Sequence, residues 1–268
     1  MTRLPLLAVL AVGLATPATA RDAPWLIAPP ALVEAARSLG GPAARVETRE
    51  EEEAVTAYCQ GLGAQTADAL VLTRRLIDRE RTSCETEAIA GEPERLLGLV
   101  GLAIDGPFDG LTRRHLWQAL ARQISEDGKL ADNRARSWRE VDPTLPHRPI
   151  ALRIEAPEPL IEAVVLATGC LGAPGYAKLD RTKLCRGLRT DLPSSPDPVV
   201  IRVLGPEGRG RPVEGIAPTP ADLASGRYPL ARRVYVYLKR AHLPGIPGLS
   251  SLLRQNVPGL LPAPPAAP

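Results

Sequence analysis

The sequence predicts an α/β fold arranged in two units. Three observations carry that reading. Strand-like and helix-like segments alternate over residues 25–104, the pattern of a parallel sheet covered by helices. Residues 96–104 form an unbroken apolar run, as expected of a strand buried on both faces. Within residues 227–254, Val234, Val236 and Leu238 alternate with Tyr235 and Tyr237, the period of a half-buried strand.

The elements follow in order. Arg3, an apolar run over residues 4–15 and the small-residue site Ala18-Thr19-Ala20 have the layout of a secretory signal peptide cut after Ala20. A membrane anchor fits less well, because the run is short and interrupted by Pro5 and Pro17. Residues 25–28 read as a strand, and Pro29-Pro30 opens a helix over residues 31–39. Residues 44–47 read as a second strand. Thr48 with Glu51 reads as a capping box, and the acids at 50–53 complement the helix dipole of the first turn. Residues 68–72 form a buried strand, followed by a helix from Arg74 to about Cys84.

A second unit begins near Asp105. Thr112 caps a helix carrying Leu116, Trp117 and Leu120, and residues 125–136 read as a polar loop. Strands are expected over 149–154 and 199–204, and helices over 159–168 and 176–186. Residues 218–226 read as a short capped helix ending in glycine. After the long strand, Pro244 and Pro247 set up a closing helix with Leu249, Leu252 and Leu253 on its apolar side. The tail over residues 258–268 is Pro/Ala-rich and reads as disordered or simply extended.

Composition narrows the function. The chain of 268 residues is 44% hydrophobic and 24% charged, ordinary for a soluble globular protein. A net charge of +3, with basic residues not clustered among aromatics, argues against a nucleic-acid partner. Four cysteines suit an oxidising compartment. Three pairings exist on paper, and the local ones, Cys59–Cys84 and Cys170–Cys185, are favoured. There is no C-x-x-C spacing, and His115, His147 and His242 are scattered, which argues against zinc. No nucleophile elbow, zinc-protease helix or P-loop is present, so neither catalysis nor a cofactor is expected.

Several segments carry a resemblance to one family. They are Tyr58-Cys59-Gln60-Gly61-Leu62-Gly63, residues 68–76, Glu80 to Cys84, residues 111–121, residues 138–146 (Trp138 to Pro146) and Cys185-Arg186-Gly187-Leu188-Arg189-Thr190-Asp191. To these is added the Gly226-Arg227-Tyr228-Pro229-Leu230-Ala231-Arg232 turn before the tyrosine strand. In order and spacing they resemble phosphate-type periplasmic substrate-binding proteins of ABC transporters. The resemblance implies a type 2 two-lobe periplasmic binding-protein fold with a reduced second lobe. Lobe 1 would hold residues 21–104 and 205–257, and lobe 2 residues 105–204. It also implies a periplasmic protein with a small phosphate-like anion in the cleft and a transporter permease as partner.

The ligand segments depart from the family pattern. The first-strand loop is Ala28-Pro29-Pro30-Ala31, without hydroxyls and with two N–H groups removed by proline. The second helix opens on four glutamates, and the second-lobe helix on Glu155-Ala156-Pro157-Glu158-Pro159. Thr73 and Arg74 keep the hydroxyl and guanidinium that suit an oxyanion. The candidate ligand residues are therefore Thr73, Arg74, Arg153 and Ala31. Alternatively, Thr73 caps a helix and Arg153 pairs with Glu155. The functional expectation is an anion-binding transport protein; the alternative is a degenerate scaffold that serves another ligand or a protein partner in the envelope.

Overall fold

In the computed structural model, residues 23–62, 65–84, 94–244, 251–252, 254 and 256–263 are described. The signal-peptide segment and most of the expected closing helix lie outside them. The main sheet has seven strands in the order β2-β1-β3-β9-β4-β8-β7. These are β1 Trp25–Ala28, β2 Arg45–Thr48, β3 Ala69–Leu72, β4 Glu94–Asp105, β7 Leu152–Glu155, β8 Val199–Val203 and β9 Ala231–Leu238. A two-stranded hairpin, β5 Gln123–Glu126 with β6 Lys129–Asp132, stands apart.

The sheet is mixed rather than parallel. β1 runs parallel to β2 and β3, and β7 to β8, but β9 is antiparallel to β3 and β4, and β4 to β8. Alternation with helices sets direction only within a crossover unit. The last strand enters from the far end of the chain and slots into the middle. β4 is the long shared strand: its first part pairs with β9 and its last four residues with β8. It joins the β1–β3 half of the sheet to the β7–β8 half.

β9 is buried on both faces, not one. Val234, Val236 and Leu238 enter the large core, while Tyr235 and Tyr237 join a second cluster with Tyr58, Leu70 and Leu72. The Tyr237 hydroxyl is satisfied there, accepting from Leu76 N at 3.0 Å and donating to Glu94 Oε2 at 3.0 Å.

The helices are α1 Val33–Gly40, α2 Glu51–Tyr58, α3 Asp78–Cys84, α4 Arg113–Leu120, α5 Trp138–Val141, α6 Glu158–Ile161, α7 Ala167–Gly169, α8 Arg181–Leu184 and α9 Pro220–Ser225. A 3-10 turn, Pro30–Leu32, precedes α1, and a π turn, Glu162–Leu166, joins α6 to α7. Thr112 caps α4 by accepting from His115 N at 3.1 Å, and Thr219 caps α9. α8 is shorter than the helix expected over 176–186, because Asp180 takes the N-cap and accepts from Thr182 N and Lys183 N. The expected polar loop over 125–136 contains the β5–β6 hairpin. Its turn is Asp127-Gly128, with φ of 49° and 75°, both positive as a type I′ turn requires.

Both disulfides are the local ones, Cys59–Cys84 and Cys170–Cys185, with Cα separations of 4.6 and 5.5 Å. No helix among the described residues is long and apolar enough to cross a membrane. The tail is described as far as Ala263. It docks as far as Leu261, which exchanges backbone hydrogen bonds with Leu99 at 2.8 and 3.0 Å. Gly98 permits this approach: a Cβ there would lie 2.4 Å from the Leu261 carbonyl oxygen. Gly98→Ala is expected to cost about 1–3 kcal/mol and to speed hydrogen exchange at the Leu99 and Leu261 amides. Unchanged exchange at both amides would show that the contact does not constrain the tail.

Candidate functional site

The site lies at the carboxyl ends of β1, β2, β3 and β7, where ligands of open α/β sheets generally bind. After β1 comes the turn Pro30–Leu32, after β2 the start of α2, after β3 Thr73-Arg74, and after β7 the start of α6. Together with Tyr176 and the α8 segment these enclose a cleft of about 500 Å³. Its lining includes Pro29, Pro30, Ala31, Glu50 to Glu53, Thr73 and Arg74 from one half of the sheet. From the other come Pro159, Glu162, Ala163, Ala167, Arg181 and Arg186.

The two candidate residues whose chemistry suits an oxyanion, Thr73 and Arg74, are already engaged. Glu51 Oε1 accepts from both Thr73 N, at 2.8 Å, and Thr73 Oγ1, at 2.7 Å. Glu51 Oε2 lies 3.3 Å from Arg74 Nε. Arg74 also grips Glu80 with two bonds, Nη1 to Oε2 at 2.7 Å and Nη2 to Oε1 at 2.8 Å. The bonds to Glu80, opposed by burial and aided by Glu51's charge, raise the Arg74 pKa. Burial pushes the Glu80 carboxyl up, but the bonds from Arg74 and Ile77 N outweigh it and hold the group below the usual carboxylate range.

This arrangement replaces the expected capping box. Thr48 is used by β2, and α2 starts at Glu51 with Glu50 at the N-cap and no side-chain cap bond. The Glu51 side chain is thereby free to cross to Thr73. Thr73 does not cap α3 either, because that helix begins only at Asp78.

The two halves also meet directly. The turn Pro30–Leu32 packs against α6, with Leu32, Leu160 and Ile161 buried. Arg186 Nη2 bonds Glu50 Oε2 at 2.6 Å across the cleft. Arg186 is held on both sides: Cys185 is tied to Cys170, and Gly187 N donates to Glu162 Oε1 at 2.8 Å. Glu162 belongs to the π turn, a local widening of the helix that often marks functional positions.

Thr73, Arg74 and Ala31 thus share one cleft. Arg153 lies outside its lining, exposed, and bonds Glu155 at 2.8 Å through Nε. Sequence reading did not single out Glu50, Glu51, Glu162 or Arg186 as contact residues. It also passed over Arg232, at the end of the Tyr228-Pro229 turn. Burial, then neighbouring Arg113, lowers the Arg232 pKa, while Glu51's charge acts in the opposite sense. Its position directly after that turn was the available signal.

No protein-family model and no curated protein matches the chain. Among solved structures, it is similar to one described as a possible phosphate-binding protein from Planctomyces limnophilus. The identity is 16%, 87% of each chain is covered, and the TM-score is 0.58. The chain has a two-lobe, periplasmic-binding-protein-like α/β fold. It also resembles, less closely, an ABC-type phosphate transport receptor from Vibrio cholerae, at 12% identity, TM-score 0.49, covering 86% of this chain and 93% of that one. The likeness to PstS from Borrelia burgdorferi is at 10% identity and TM-score 0.48, covering 91% and 99%. Of these, only the Planctomyces chain superposes closely enough to carry the fold.

The lowered Glu80 carboxyl contributes stability that is present above its unfolded value, about 4.3, and is lost as pH falls through the folded value. Glu80→Gln is therefore expected to be less stable than the native chain at pH 7, with the gap narrowing as pH falls below about 4.3. Denaturant midpoints measured from pH 7 to pH 2.5 check this; a gap that stays constant with pH would refute it.

Proposed function

We propose that the chain is an exported, non-catalytic binding-protein scaffold that does not take free phosphate in its native form. It serves another ligand, or a protein partner, in the cell envelope. Residues 21–104 with 205–257 make up one lobe of the scaffold, and residues 105–204 a smaller one. The observation that carries it is Glu51, whose carboxylate holds the Thr73 N–H and hydroxyl at 2.8 and 2.7 Å, where an oxyanion would need them. Three further features support it. Pro29 and Pro30 supply no N–H donors to the cleft. The start of α2 presents Glu50 to Glu53, which repel an incoming anion at short range. The Pro30–Leu32 turn and α6 are packed together, narrowing the space between the halves. The two local disulfides suit an exported protein.

A second reading is supported by Thr73 and Arg74 standing together at the strand end, in the lining of the cleft. In that reading the chain is a phosphate-type solute-binding protein that hands its anion to a transporter permease. Calorimetric titration of the mature protein with inorganic phosphate separates the two. No heat up to millimolar phosphate is expected; a micromolar dissociation constant would overturn the first reading in favour of the second.

A further inference from the structure

We propose that Glu51 is a tethered occupant of an intact oxyanion receptor, and that a free small oxyanion enters when this carboxylate is removed. The inference rests on the functional reading above and names what keeps the site closed to solute. The receptor is Thr73 N–H, Thr73 hydroxyl and the Arg74 guanidinium.

The geometry supports a receptor that survives loss of its occupant. Two donors of Thr73 converge on Glu51 Oε1 at 2.8 and 2.7 Å, and Arg74 Nε faces Oε2 at 3.3 Å. Both carboxylate oxygens are thus read from one strand end, the way a discrete anion is read. Glu51 comes from a different segment, the first turn of α2, and enters as a side chain on a flexible stem. Arg74 does not depend on it for position, because Glu80 grips the guanidinium through two bonds of 2.7 and 2.8 Å. Thr73 is set by the end of β3, which is paired on both sides, with β1 and β9.

Charge favours the exchange. With Glu51 gone, Arg74 remains balanced by Glu80. The vacated position also loses one of the glutamate charges, Glu50 to Glu53, that line the cleft, so an entering anion meets less repulsion there. It also adjoins the cleft of about 500 Å³, so an anion could enter without unfolding of the surrounding elements. A tethered carboxylate competes at the high effective concentration of an intramolecular partner, which accounts for exclusion of dilute phosphate.

The test compares the native chain with Glu51→Ala and with Glu51→Gln, which keeps the side chain's shape and removes its charge. Each is titrated with inorganic phosphate by calorimetry, and its thermal midpoint is followed in phosphate and in acetate. Glu51→Ala is expected to bind phosphate at least about tenfold more tightly than the native chain, with Glu51→Gln between them. Both anions are expected to raise the Glu51→Ala midpoint, and adding Thr73→Val to abolish these effects. Silence of both folded variants, or binding that survives Thr73→Val, overturns the proposal while leaving the functional reading intact. Heat from the native chain overturns the functional reading alone if Glu51→Ala binds more tightly still. It overturns both if the two constants agree.

Discussion

The insertion of β9 between β3 and β4 holds the molecule together. Its backbone closes two antiparallel ladders, and its side chains supply both cores. Because the strand comes from the end of the chain, folding of the sheet centre requires contacts between residues far apart in sequence. Tyr237 extends that role by tying Leu76 and Glu94 through one hydroxyl. β3 is consequently fixed, and with it the position of Thr73 and Arg74. The docking of Leu261 on Leu99 adds a last backbone contact to β4, the strand shared by the two halves.

On that frame the cleft is organised by carboxylates. Glu51 is bonded to Thr73 and faces Arg74, Glu80 holds Arg74 from the other side, and Glu50 reaches Arg186 from the opposite half. The Glu50–Arg186 pair is about 40% exposed on each side, so by itself it adds little to stability. Its significance is positional. Closure of the halves also involves the apolar packing of the Pro30–Leu32 turn on α6, which proline favours by removing donors that would otherwise need partners. In the cleft the chain's own acids meet the cationic and hydroxyl groups.

Much of the fold was legible, for identifiable reasons. The β1 to β3 order follows from alternating apolar strands and helix starts, and the capped helix α9 from Thr219 and Gly226, which adopts a left-handed φ of 74°. Other features were visible but overlooked. Asp127-Gly128 is a strong hairpin signal that compositional polarity concealed. Thr48 and Glu51 have capping-box spacing, yet β2 claimed Thr48 and Thr73 claimed Glu51. The local motif lost to a partner 22 residues further along the chain. Arg153 was chosen for its place at a strand end, but the shorter-range pairing with Glu155 prevailed.

The order of residues alone determined most of the strands and helices, favoured local pairing of the cysteines, and set prolines and acids where small hydroxylated loops would suit an anion. These properties depend on neighbours within a few residues or on chain-closure distance. Only the tertiary structure decided strand direction around β9, the docking of the tail, and the meeting of Glu51 with Thr73 and of Glu50 with Arg186. Those outcomes depend on which distant backbones lie side by side, and charge and side-chain reach then select partners among groups that packing has brought together.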